Sequence, residues 1–323
     1  IGATDLAQTE GHSERFTQAD QTFLAVTAIP SYFSHTELDF GSLVWTAYGN
    51  RLLLDSGYGD LNSDRYETEP DMPPDQNPTG HNTLVIPEAL YDGDASTNTS
   101  QIEDEWGTIE SDQIGSAEVI HLDGAEVYGS ENQDLGWLSA FDRWLLHVGD
   151  GNFMVVDSFA VRSDRGSAMV EERWHLGRSS PDPDDCSSRS THADYEIDDQ
   201  TLDILPMCAM LDTTETASQG RIVASSLYPG GFVDSGLVEY TNRLEDTEQR
   251  SRVRYVPDSA VTLDIRLFAL LSSPVGESLP EADYTWMSCD DAPCVEVELP
   301  SGTWTFGFTW EGERWELSDI EEP

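Results

Sequence analysis

Apolar residues recur along this chain in short runs separated by Gly, Pro, Asp, Asn and Ser, the punctuation of strands rather than helices. The clearest pair lies at 143–148 and 152–161, joined by Gly149, Asp150 and Gly151, residue types that tolerate the positive backbone angles of a tight reversal. The second run of that pair is apolar almost throughout, as expected for a strand covered on both faces. Further short segments follow at 171–176, 201–207, 221–228, 237–242, 251–257, 261–271, 294–300, 303–310 and 314–319. Earlier ones lie at 21–33, 34–49, 51–55, 81–87, 116–122 and 125–130, the first interrupted by Pro30. No long amphipathic helix, heptad, phosphate-binding glycine loop or internal repeat interrupts the series. The pattern predicts an all-β protein: a large antiparallel β-sandwich, of the super-sandwich kind, with long acidic loops. Residues 1–21 lack a period and are expected to be a tail or the remnant of an upstream connection, leaving 22–323 for the sandwich domain.

Composition sharpens this picture. The 323 residues carry 62 acidic and 16 basic side chains, a formal charge of −46, and every basic residue is Arg. An acid-rich, Lys-free surface stays hydrated in strong salt, where the Debye length shrinks to about 3 Å at 1 M. A saline habitat is therefore expected, with general solubility as the plainer alternative. Such a charge excludes the basic footprint that nucleic acid or an anionic membrane surface requires. Cys186 and Cys208 bracket one Asp/Ser-rich excursion and Cys289 and Cys294 another acidic loop. Two loop-closing disulfides and an extracellular or periplasmic location are expected, against the alternative of free thiols. No apolar run is long enough to span a bilayer, and no signal peptide is recognisable. The chain starts at Ile1 without a Met, so it is expected to be cut from a longer precursor.

Candidate chemistry gathers between Ser31 and Thr83. His35, Glu37 and Asp39 are spaced by two, so a strand through 34–49 would point them from one face. Asp55 ends the next apolar run, and His81 opens the segment 81–87 after a Pro-rich loop over the site. Carboxylate and imidazole groups at neighbouring strand ends suit a zinc-type centre, although a metal there could equally brace three strands without chemistry. Asn82 would orient His81 or satisfy a turn, and Asp39 would stand behind a ligand or face solvent. Arg143 has the planar fork for a substrate carboxylate, but also for a structural pair with an acid. His175 is expected to pack on a sheet face. Tyr32, Tyr58 and Tyr66 could stack on sugar rings or serve as rim packing. No Ser lies in a nucleophile-elbow pattern.

These residues also carry a family resemblance. The motifs around His35, Asp55 and His81-Asn82-Thr83 resemble the heparinase II/III-like polysaccharide lyases and related alginate lyases. In those, a C-terminal β-sandwich carries a His-x-His-x-Asp strand, a strand-end Asp and a His-Asn-Thr motif. The runs at 141–161 and 171–176 resemble further strands of that sandwich. The resemblance implies that His35 faces substrate as an auxiliary catalytic group and that Asp55 and His81 hold a metal, with Glu37 in the place of a family His. Oxygen for nitrogen makes that site harder, so zinc is expected first and calcium second, with manganese tolerated. Tyr58, Tyr66 and Arg143 would then bind substrate, and Asp39 and Asn82 would support the ligands. The implied partner is an anionic, uronate-containing polysaccharide cleaved by β-elimination. The main catalytic groups would come from a helical toroid in the same precursor or in a partner chain. A different class is also open: a non-enzymatic glycan-binding, surface or filament module, with self-association into a homo-oligomer.

Overall fold

The computed structural model describes residues 22–28, 38–48, 50–54, 78–91, 101–102, 105, 107–115, 117–129, 136–176, 195–207, 218–241, 247–274 and 276–323. Strands β1 (Thr22–Val26), β2 (Leu43–Ala47) and β3 (Asn50–Leu53) form a small sheet in that order. A short β4 (Leu84–Val85) follows, then the meander β5 (Thr108–Ile114), β6 (Ala117–Asp123), β7 (Leu138–His147) and β8 (Phe153–Val161). Next come β9 (Glu171–His175), β10 (Tyr195–Asp198), β11 (Thr201–Met207), β12 (Ser218–Ser226), β13 (Gly230–Thr241), β14 (Thr247–Pro257) and β15 (Leu263–Pro274). The chain closes with the meander β16 (Asp283–Cys289), β17 (Ala292–Leu299), β18 (Gly302–Glu311) and β19 (Arg314–Glu321). All strand pairings among the described residues are antiparallel. None of the described helices is long and apolar enough to cross a membrane.

An eight-stranded sheet, ordered β10-β11-β12-β15-β8-β7-β6-β5, forms the middle layer. Period-2 alternation divides its side chains between two cores. Phe153, Val155, Phe159 and Val161 of β8 pack on one side with Trp45, Leu84, Trp174, Val253 and Tyr255. Met154 and Val156 pack on the other side with Val295, Val297, Phe306, Phe308 and Leu317. The first side is covered by β1-β2-β3 and by a second small sheet, β13-β14-β9-β4. The other side is covered by β16-β17-β18-β19. This double cover explains why all of β8 and nearly all of β15 are buried and read as near-continuous apolar runs. Each large apolar side chain so buried contributes roughly 1.5–3 kcal/mol.

The hairpin between β7 and β8 turns at Gly149, Asp150 and Gly151, with φ of +92°, +51° and +74°. A Cβ at Gly151 would fall 2.5 Å from Thr22 Oγ1, so glycine lets β1 approach the turn.

Of the expected strand through 34–49, the described residues 38–48 hold strand at Leu43–Ala47. Before it the chain turns, the Ser42 N–H donating to the Asp39 carbonyl at 2.8 Å and Gly41 adopting φ +80°. The left-handed glycine breaks the pleat between Asp39 and β2, so Asp39 stands on a turn outside that strand. The segment 81–87 likewise narrows to the two residues of β4, with His81, Asn82 and Thr83 in a bend. Residues 125–129 form turns instead of a strand: Tyr128 N–H reaches Gly124 O at 3.1 Å and Gly129 N–H reaches Glu126 O at 2.8 Å. Conversely, β5 runs through a polar stretch, because it is an edge strand with mostly exposed side chains.

Candidate functional site

Asn82 is the knot of the candidate site. It is fully buried, and a buried amide must place both donors and its acceptor. Its Nδ2 donates to Leu43 O at 2.6 Å and Leu54 O at 2.9 Å, and its Oδ1 accepts from the His175 N–H at 2.6 Å. Its own N–H donates to Ser42 Oγ at 3.1 Å. The Leu54 N–H in turn donates to the His175 carbonyl at 2.9 Å. One side chain thus ties the start of β2, the chain leaving β3 and the end of β9. The neighbouring Thr83 donates to Phe40 O at 2.7 Å, and Tyr128 OH donates to Leu84 O at 2.9 Å. His81 and His175 are both fully buried, one preceding and one bonded to this amide.

Beneath the knot lies a buried charge network. Arg143 on β7 faces Asp157 on β8 in direct register, and its Nε and Nη2 donate to the two Asp157 oxygens, both at 2.7 Å. Nη2 also donates to Glu172 Oε1 on β9, and Nη1 donates to Gly41 O and to Asn82 O, the latter at 3.4 Å. All five donors of a guanidinium are therefore spent inside the protein. The structural alternative for Arg143, pairing with an acid, is what the structure shows. Burial pushes the Glu172 carboxyl up, Arg143 opposing and Asp157 adding to the shift. Arg266, one strand over on β15, donates from Nε to Asp264 at 3.0 Å and stacks over Phe159 and Tyr255. These charges join the middle sheet to the layer carrying the knot.

On the opposite face of β9, Glu171, Arg173 and His175 alternate outward. They meet β14 with Arg254 opposite Arg173 and Arg252 opposite His175. Glu171 accepts from Arg173 Nη2 at 3.1 Å and from Arg254 Nη1 at 2.7 Å. Sequence reasoning passed over this row, although 250–255 alternates Arg with other residues in a chain otherwise dominated by acids. That alternation was the available signal.

The structure brings His81 and Asn82 together with His175 and with Leu54, the residue before Asp55. His35, Glu37, Asp55, Tyr58, Tyr66, Cys186 and Cys208 lie outside the described residues, as does Tyr32. Asp39 is half-buried on its turn. Cys289 and Cys294 form a disulfide that joins β16 to β17. Among the described residues no cluster of three His, Cys, Asp or Glu side chains could hold a metal ion.

No protein-family model and no curated protein sequence matches the chain. Solved structures do. A mutant of heparan sulfate lyase HepC from Pedobacter heparinus superposes with a TM-score of 0.63 at 11% identity, over 88% of this chain and 39% of that one. A heparinase III superposes with 0.59 at 14% identity, over 94% of this chain and 43% of the other. Another heparinase III crystal structure gives 0.57 at 14% identity, over 91% and 42%. The chain thus spans well under half the length of the lyases it matches, and it shares the fold of that portion of heparinase III and heparan sulfate lyase.

Proposed function

We propose that this chain is the β-sandwich part of a polysaccharide lyase that cleaves a uronate-containing polymer by β-elimination. The observation that carries the reading is the Asn82 knot. Within a heparinase-like sandwich, one buried amide binds the residue that precedes Asp55 and directly follows His81, beside His175. The chain neighbours of two residues that the sequence marks as metal ligands, Leu54 before Asp55 and Asn82 after His81, are thereby joined by one hydrogen bond. His81 is fully buried, which suits an imidazole held as a neutral ligand, and carboxylates at Asp55 and Glu37 would complete a set of two oxygens and one nitrogen. Those residues would hold a zinc or calcium ion, which when bound offsets carboxylate repulsion and ties the strand ends together.

In the reaction a base removes the C5 proton and its electrons form the C4–C5 double bond. The C4–O bond breaks, and the departing oxygen takes a proton. His35 would assist from this chain, the role that the family resemblance gives it. Groups on a helical toroid, in the same precursor or a partner chain, would supply the base and acid. The isolated chain is then expected to release little unsaturated uronate, detected by the absorbance of the conjugated product, and to gain activity when joined to such a toroid. Full turnover by the chain alone would sink this division of labour. Absence of product from the joined protein on uronate polymers would sink the lyase reading. An extracellular or periplasmic setting with salt accords with the acidic surface and the Cys289–Cys294 disulfide.

A further inference from the structure

We propose that His121, Asp142 and Arg314 form a pH-sensitive clasp, which holds the tip of the β18–β19 hairpin on the middle sheet while His121 is protonated and loosens when that proton leaves.

The clasp sits where the apolar join between the two layers gives out. Along β18 and β19 the inward side chains Phe306, Phe308, Leu317 and Ile320 are buried, but at the tip Trp310 is 48% exposed. Trp315 lies opposite Trp310, meets it edge to face and is half-buried. Polar contacts take over there. The Ser158 hydroxyl on β8 donates to the Trp315 carbonyl, and Arg314 Nη1 lies 3.0 Å from Asp142 Oδ2 and 3.8 Å from Asp123 Oδ2.

Asp142 and Asp123 stand directly opposite each other on β7 and β6, a like-charge pair that destabilises an antiparallel sheet unless cations intervene. Asp142 is fully buried, so its charge needs partners, and it has two. Arg314 meets Oδ2 as an ion pair without hydrogen-bond geometry, whereas His121 Nε2 lies within hydrogen-bond reach of Oδ1 at 2.9 Å. The imidazole stacks flat on Trp144, its neighbour in register, with 5.0 Å between ring centroids, which holds the ring against the carboxylate. Its Nδ1 lies 3.8 Å from Glu110 on β5, also in register.

The charged groups facing the clasp are therefore Glu110 and, further along the same face of β5, Asp112; Asp123 on β6; Asp142 on β7; and Arg314, with Glu316 at 4.0 Å and Glu311 opposite it on β18. Burial pushes the imidazolium down, but the Asp142 hydrogen bond and the charges of Asp142, Asp123 and Glu110 outweigh it and raise the pKa above 6.5. The folded protein thus binds this proton more tightly than the unfolded chain. The stabilisation is complete below 6.5 and is lost as pH rises through the folded value. Neutral His121 leaves Arg314 alone against Glu110, Asp123 and the buried Asp142, in a chain of formal charge −46.

The test is hydrogen–deuterium exchange of the full chain at constant salt over about pH 5.5 to 8.5, with rates divided by the intrinsic rate at each pH. In the wild type, protection at the β18–β19 tip is expected to fall about fivefold or more across this range, while β12 and β15 change within about twofold. His121→Gln keeps a donor for Asp142 without titrating and is expected to flatten the tip's profile to within about twofold. Should that variant not fold, wild-type NMR decides: the indole signals of Trp310 and Trp315 are expected to titrate with the same midpoint as the His121 ring. Tip protection independent of pH, an equally steep profile in His121→Gln, a fall shared by β12 and β15, or indole signals that do not follow His121 each overturn the proposal.

Discussion

At the scale of single residues, Asn82 carries more than its size suggests. Truncating it leaves Leu43 O, Leu54 O and the His175 N–H without partners in a dry setting, and each orphaned group costs about 1–3 kcal/mol. Asn82→Ala is therefore expected to destabilise by about 3–5 kcal/mol, near the upper end for a point change, measured by denaturant unfolding. A loss below about 1 kcal/mol would show that water replaces the amide. The role was not legible in the sequence. The His-Asn-Thr motif marks the residue, but its partners lie 39, 28 and 93 positions away, and only the folded topology selects them. Arg143 was half legible: its pairing with an acid was one of two readings, but Glu172 as second partner required β9 to be laid over β7.

At the scale of elements, apolar pattern located most of the strands, and those it missed, β5, β10 and β16, are strands whose side chains are exposed or half-buried almost throughout. The β7–β8 hairpin was readable because Gly149, Asp150 and Gly151 interrupt two apolar runs. By contrast β5, with mostly exposed side chains, has no hydrophobic face to announce it. Between layers, the network formed by Arg143, Asp157 and Glu172 joins β7, β8 and β9. Glu172 has its folded pKa raised above the ordinary value of 4.5, mainly by burial. The folded state then holds its proton more tightly than the unfolded state. Its contribution is most favourable below 4.5 and is lost as pH rises through the folded pKa. Glu172→Gln is expected to flatten that part of the stability curve, so its stability relative to wild type rises with pH above 4.5 in paired melts. Parallel wild-type and variant curves across that window would contradict the assignment.

For the whole molecule, a formal charge of −46 makes self-repulsion a dominant electrostatic effect, and salt its remedy. Raising sodium chloride from about 0.1 M to 1 M, which shortens the Debye length from about 10 Å to 3 Å, is expected to raise the melting temperature. A melting temperature that falls over this range would show that specific ion pairs, such as Arg221 with Asp203, outweigh the surface repulsion. The acid excess and the strand-rich architecture were both readable from sequence. The three-layer arrangement was not, because nothing local tells β16 to β19 which face of the middle sheet to cover. We propose that Asp55 and His81, whose chain neighbours Leu54 and Asn82 are joined in the knot, hold a metal ion on this sandwich. Elemental analysis of native protein purified without chelator tests it most directly, alongside His81→Ala and Asp55→Ala. About one divalent ion per chain is expected in the wild type, with metal content and melting temperature both falling in each variant. Wild-type protein without metal, or variants that retain it in full, would contradict the account.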